Sequence, residues 1–394
     1  MNYARRVAQL KASEIREILK VTEKPDVISF AGGLPAPELF PVDEIKRATN
    51  LVLEEAGEKA LQYTTTEGYA PLREWIAGRM NTKWGTSFDK DNILITHGSQ
   101  QGLDITGKMF LDEGDIVLCE SPTYLAAISA FRAYGCHFIE IPTDEDGMVM
   151  EALEEVLRET KGIKLIYVIT NFQNPSGRTW SLEKRKQLAS LSVKYDVAVL
   201  EDNPYGELRF EGDFLPSVKA FDTAGNVLCT GTFSKIFCPG FRIAWMAGEK
   251  DIIRKYVLVK QGVDLQCSTI AQMVIAKYLE LYDIDKHIER IIEVYRKRRN
   301  LAVETMKQYF PESVSFTRPE GGLFLWVELP EHVSARELLD ICLSKKIAFV
   351  PGGSFFPNSI KENTFRINFS NMPEERIIEG LKTIGEILYD RGMR

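Results

Sequence analysis

The chain has 394 residues and a formal charge of −7, with 44% hydrophobic and 27% charged residues. That is an ordinary soluble globular composition, long enough for two domains or for one large domain with an appendage. The negative charge argues against nucleic acid or an anionic membrane as the main partner. No uninterrupted apolar stretch approaches the roughly 18 residues that a membrane span needs. Six cysteines are scattered without a Cys-x-x-Cys pair, which favours buried thiols in a reducing cytoplasm, and four histidines without ligand spacing argue against a metal site.

In chain order, residues 4–20 place Val7, Leu10, Ile15, Ile18 and Leu19 at helical spacing, with Arg16 on the same helix and no signal-peptide core. Residues 28–41 hold two glycines and three prolines, which force an extended, turning path. Such a rigid stretch is either a wall for a small-molecule site or a plain connector. A helix is predicted over 42–56 and a polar loop around Tyr63. A second helix follows from Pro71 to Met80, its proline suited to a first turn.

From Asn92 onward, strands alternate with helices. Apolar runs at 93–96, 116–119, 137–141, 164–170, 197–200, 227–229 and 242–247 read as strands, with helices at 101–110, 125–134, 150–159 and 182–194. This pattern predicts an α/β fold with a seven-stranded, mainly parallel sheet flanked by helices on both faces. Ligands of such sheets bind beyond the strand ends. After Asp251 come helices through Lys260, over 269–282 and over 285–309. Strands at 313–317, 323–328, 347–350 and 364–369, with helices at 335–344 and 374–388, complete a smaller α+β unit. The expected organisation is an N-terminal helix and arm (1–41), a large α/β domain (42–284) and a small C-terminal domain (285–394).

The chemistry centres on residues 226–247. A strand leads into a polar turn with Thr232, Ser234 and Lys235, then Pro239-Gly240, Arg242 and a second apolar run. A lysine between two buried strands desolvates badly and favours its neutral, nucleophilic amine. The two hydroxyls and the arginine suit a dianionic phosphate. A lysine for an aldehyde beside a phosphate cradle is what pyridoxal phosphate requires, although a Ser-Lys pair alone is as well explained by a surface loop.

Other strand ends add candidates. Gly98-Ser99-Gln100 opens a helix, either as an anion site or as a simple cap. Asn174 is held extended by the proline after it, aimed at the strand ends or bonded to its own turn. Asp202 follows a buried strand and needs a positive partner, for which a pyridinium nitrogen would serve; Tyr205 and Asn174 could then donate to the ring 3′-oxygen. Arg366, in an otherwise apolar strand, wants a carboxylate, from a substrate or from a structural ion pair. Tyr124 offers an aromatic face or fills the core.

Taken in order, Ala12-Ser-Glu-Ile-Arg16-Glu, Phe30-Ala-Gly-Gly-Leu-Pro, Leu61-Gln-Tyr63-x4-Gly-Tyr, Gly98-Ser-Gln-Gln, Asn174-Pro-Ser-Gly, Asp202-x2-Tyr205, Thr232-Phe-Ser-Lys-x6-Arg242 and Phe349-Val-Pro-Gly resemble the fold-type I, class I/II-like aminotransferases over nearly the whole chain. The likeness is greatest to the 2-aminoadipate and kynurenine aminotransferase-like branch. It implies pyridoxal 5′-phosphate bonded to Lys235, with its phosphate held by Ser99, Gln100, Thr232, Ser234 and Arg242. It further implies Tyr124 stacked on the ring, Asp202 on its nitrogen, and Asn174 and Tyr205 on its 3′-oxygen. Arg366 and Asn174 would take the substrate α-carboxylate, Gly33 would line the substrate pocket, and Tyr63 would reach the phosphate of a neighbouring subunit in a homodimer with shared sites. Arg16 would meet a side-chain carboxylate, with the N-terminal helix as a lid. Departures are Ala244, where many relatives have glycine, and Cys238, where many have a smaller or aliphatic residue. The implied reaction moves an amino group from 2-aminoadipate, glutamate, or bulky aliphatic or aromatic amino acids to a 2-oxo acid such as 2-oxoglutarate. The same apparatus could serve a β-lyase or decarboxylase. A regulator's effector module is the remaining alternative, but the pattern begins within the first ~16 residues, ahead of which a DNA-binding domain has no room.

Overall fold

The computed structural model describes residues 26–359 and 361–393, and its first element is a two-residue strand, β1 (Ile28–Ser29). The arm that follows is extended as expected, apart from one 3-10 turn over Pro37–Leu39 with its proline in the first turn. The apolar runs after Asn92 become β2 (Ile93–His97), β3 (Ile116–Ser121), β4 (His137–Asp144), β5 (Gly147–Met148), β6 (Ile163–Val168), β7 (Ala198–Asp202), β8 (Val227–Thr232) and β9 (Ile243–Ala247). They form one eight-stranded sheet in the order β2-β9-β8-β7-β6-β3-β4-β5. Seven are the expected strands. The eighth, β5, is a hairpin return antiparallel to β4, and Gly147 at φ +128° takes a backbone conformation that a side chain would resist.

The central pairs β4–β3, β3–β6, β6–β7 and β7–β8 are parallel. No helix crosses between β8 and β9, so the chain turns straight back and β9 runs antiparallel to both β8 and β2. Burial explains the unbroken apolar character of these strands. One face packs Leu94, Leu228 and Met246 against Leu103 and Tyr256 from helices Gly98–Phe110 and Lys250–Gln261. The other packs Leu118, Ile166 and Val199 against Leu153 and Leu188 from helices Met150–Glu159 and Leu182–Tyr195.

The C-terminal strands are β10 (Ser315–Phe316), β11 (Phe324–Glu328), β12 (Ile347–Ala348), β13 (Val350–Pro351) and β14 (Thr364–Asn368). The expected single strand over 347–350 splits at Phe349. Its first half, β12, pairs in parallel with β1, whereas β13 joins the antiparallel sheet β10-β11-β14-β13. The arm after β1 is tied to the same unit. Asn368 N donates to Phe30 O at 2.9 Å, Ser370 Oγ to Leu34 O at 2.8 Å, and Ala36 N to Tyr295 Oη at 2.9 Å. Tyr295 belongs to the long helix Ile284–Tyr309.

Helix ends shift where local chemistry allows. The helix predicted from Pro71 begins at Ala70 and stops at Gly85, whose φ of +74° provides a left-handed cap. The helix predicted over 42–56 extends over Val42–Ala60, with Ala56 itself leaving helical geometry at φ −152°.

Candidate active site

Sheet direction decides where the candidate residues meet. Parallel strands β3, β6, β7 and β8 end at one edge of the sheet, and β2, antiparallel to β9, ends there too. Antiparallel β9 starts at that edge. Tyr124, Asn174, Asp202, Tyr205, Thr232, Ser234 and Lys235 therefore follow strand ends, Ser99 follows β2, and Arg242 precedes β9. Arg242 was expected inside the strand. It instead sits one residue before it with φ +55°, a left-handed turn that sets its guanidinium beside Gly98. A β-carbon on Gly98 would collide with Arg242 Nη2, so glycine leaves the space that the guanidinium fills across the start of the helix.

These residues line a cavity of about 340 Å³ together with Gly33, Gln100 and Arg366. Lys235 Nζ donates to Gly33 O at 2.7 Å. Burial, and then the charges of Arg366 and Arg242, lower its pKa from 10.5 to about 8. In the cofactor-free protein the unfolded chain therefore holds this proton more tightly, so stability should rise as pH increases from about 8 to about 10.5. Thermal melts of wild type against Lys235→Met check this, because the variant should lose that part of the rise.

Thr232 Oγ1 donates to Ser234 Oγ at 2.9 Å and accepts from Ser234 N at 3.0 Å. Asn174 Oδ1 accepts from Arg366 Nη1 at 2.7 Å, while Arg366 Nη2 donates to Ala31 O at 2.6 Å. The Arg366 guanidinium lies over Phe324 and Phe355, 4.2 and 5.1 Å from their centroids, and burial lowers its pKa to about 10. Asn174 Nδ2 lies 3.5 Å from Tyr205 Oη, a long contact. Asp202 accepts from Tyr167 Oη at 2.8 Å, and burial raises its pKa to about 7.

Ser99 Oγ, Asp202 Oδ1 and Arg366 Nε are buried without a hydrogen-bond partner among the described residues. Three cations (Lys235, Arg242 and Arg366) and one carboxylate (Asp202) share the cavity wall. Unpaired buried polar atoms and this charge balance fit an anionic ligand that brings its own proton donor to Asp202. Pyridoxal phosphate, with a phosphate, a ring nitrogen and an aldehyde, meets those demands.

Tyr63, expected at the phosphate of a neighbouring subunit, is 78% exposed and does not line the cavity of its own chain. Arg16 lies outside the described residues. Conversely, Phe324 and Tyr167 escaped the sequence reading because each sits in an apolar run where an aromatic side chain reads as core, and Phe355 because it ends a Gly-Gly-Ser turn that carries no signal of its own. The Gly321-Gly322 pair before Phe324 was the one available signal of a close approach. Away from the cavity, His97, Asp264 and Cys267 offer ligand atoms within 4.8 Å of one another. The Lys260 ammonium already pairs with Asp264 at 2.5 Å, so a cation there would meet like charge.

Fold and cavity together define a pyridoxal phosphate enzyme of fold type I. The family model Aminotransferase class I and II matches residues 25–384. The chain belongs to that family: it is a transaminase with pyridoxal 5′-phosphate as its cofactor. It is 46% identical over 390 residues to aromatic-amino-acid aminotransferase 1 of Thermococcus litoralis, covering 98% of this chain and 94% of that one. To the 2-aminoadipate transaminase of Thermus thermophilus it is 41% identical over 391 residues, covering 98% and 96%. The solved structure of Pyrococcus horikoshii kynurenine aminotransferase, a complex with PMP, superimposes with a TM-score of 0.95 at 42% identity, covering 99% of this chain and 97% of that one.

Proposed function

We propose that this aminotransferase takes the amino group of aromatic and 2-aminoadipate-type amino acids and delivers it to 2-oxoglutarate. The substrate class is supported by relatives named for aromatic amino acids and for 2-aminoadipate. The site assignment rests on one observation: Lys235, the unpaired oxygen of Asp202 and the buried fork of Arg366 face a single cavity.

The bound cofactor supplies an aldehyde for the amino group and a cationic ring that draws electrons from the bond being broken. Lys235 is the amine that would hold that aldehyde. Its Nζ is the group that would hold and move the proton of the substrate Cα, work suited to an amine whose pKa is lowered to about 8. Arg366 binds the α-carboxylate with its fork, and Asn174 Oδ1 holds that fork in place. Asp202 would keep the ring nitrogen protonated, Tyr124 would stack on the ring, and Asn174 and Tyr205 would bind its 3′-oxygen. Ser99, Gln100, Thr232, Ser234 and Arg242 would hold the phosphate. Gly33 would line the substrate pocket, packed so closely on Phe324 of the same wall that a β-carbon there would come within 3.2 Å of its Cζ.

Two chains would form a homodimer in which Tyr63 completes the partner's phosphate site, a reading supported by its exposure and that of Leu61. Residues 1–41 would act as arm and lid with the small domain (285–394) against the large one (42–284), with Arg16 on the lid. Six unpaired, buried cysteines favour the cytoplasm.

The test is to add single amino acids, without acceptor, to the cofactor-loaded protein. The absorption band of the lysine-bound cofactor should fade with aromatic amino acids and 2-aminoadipate, and 2-oxoglutarate should restore it. A band that persists while ammonia or carbon dioxide accumulates would move the reaction to the lyases.

A further inference from the structure

Asp202 is met from behind by a side chain that does not line the cavity. In the parallel pair β6–β7, Tyr167 stands opposite Leu200 and Val168 opposite Glu201. Side chains alternate faces along a strand, so Leu200 and Asp202 point to the same side, where Tyr167 and Ile169 also pack. A phenol rooted level with Leu200 has the length to reach Asp202, and Tyr167 Oη donates to Asp202 Oδ2 at 2.8 Å. Its ring is 1% exposed and stands edge-on to Phe131, with centroids 5.8 Å apart.

We propose that Tyr167 is a positioning residue whose phenol pins Oδ2 of Asp202 and so presents the unpaired Oδ1 to the cofactor's ring nitrogen. The inference rests on the assignment of Asp202 made above. A carboxylate bonded at one oxygen cannot swing freely, and the bond favours its charged form where burial favours the neutral one. Burial and the charge of Asp202 push the Tyr167 phenol well above its ordinary range, so it keeps its proton and donates it to the carboxylate. The other ionisable groups around the pair are the cations Lys235, Arg242 and Arg366 across the cavity, the phenols Tyr124 after β3 and Tyr205 after β7, and Glu120 in β3, which acts on the Tyr167 phenol from the neighbouring strand. Tyr167 is the one that bonds Asp202 among the described residues. Without it, the desolvated Asp202 would take up a proton and offer the ring nitrogen a donor instead of an acceptor.

Tyr167→Phe removes one oxygen and keeps the ring. Holoenzyme reconstituted with cofactor labelled with nitrogen-15 in the ring reports protonation directly by NMR. Wild type should show a protonated ring nitrogen across neutral pH. Tyr167→Phe should move the signal toward the neutral pyridine, lower kcat about tenfold or more and leave KM nearly unchanged. Added to Asp202→Asn, the same change should have no further effect on the signal. Incorporating 3-fluorotyrosine at 167 preserves the fold and makes the phenol a stronger donor, which should leave the shared proton on the ring nitrogen, the opposite of Tyr167→Phe. An unchanged nitrogen signal and pH profile in both substituted proteins, with only a lower Tm, would assign Tyr167 to packing and overturn the proposal. An unprotonated ring nitrogen in wild type would instead remove the Asp202 assignment, and the proposal with it.

Discussion

Lys235→Ala is expected to lower kcat by a factor of about 10³–10⁴ or more, because positioned proton transfer alone contributes about 10²–10⁴ and the covalent link to the cofactor is lost as well. The fold should survive. The amine makes one hydrogen bond, to Gly33 O, and its ammonium is held at a low pKa by burial and two neighbouring guanidinium groups. Removing a charge in that position relieves a cost, so the Tm of the cofactor-free variant should not fall below that of wild type. Steady-state assays, the visible spectrum and a thermal melt together separate these effects. Turnover within tenfold of wild type would exclude Lys235 as the proton carrier.

Arg366→Ala should act on substrate binding. A desolvated guanidinium facing a carboxylate contributes about 2–5 kcal/mol, most of it the cost of leaving the partner charge unpaired, so KM should rise about thirtyfold or more. Asn174 loses the donor to its Oδ1, and Ala31 loses the donor to its carbonyl. Each unsatisfied acceptor costs about 1–3 kcal/mol. Phe324 and Phe355 also lose the cation between them. Part of this cost is offset because burial disfavours the guanidinium charge itself. A modest fall in Tm with a large rise in KM is therefore the expected pair of results, and a KM within twofold of wild type would leave Arg366 a structural residue.

Legibility varied with the range of the interaction. The strand ends carrying Asp202, Asn174 and Lys235 could be read directly, because a polar group at the end of an aliphatic run has few local explanations. Arg242 was placed one residue too far into its strand; its backbone is left-handed, and its guanidinium packs against Gly98, far away in the chain. The split of 347–350 at Phe349 was equally hidden, because its halves pair with β1 and β14 from opposite ends of the sequence. Tyr167 looked like any aromatic residue in a buried strand. Its hydroxyl matters only through the register that brings β7 alongside β6.

By itself, the order of residues determined the α/β class, the direction of the sheet and the set of groups that follow its strands. Periodicity and turn chemistry are local properties of a chain, and both were present in full. Tertiary structure alone decided which atoms are left unpaired. The free oxygen of Asp202 and the shared fork of Arg366 depend on partners 35 and 192 residues away in the chain, and burial, which sets the acidity of Lys235 and Asp202, is a property of the packed molecule.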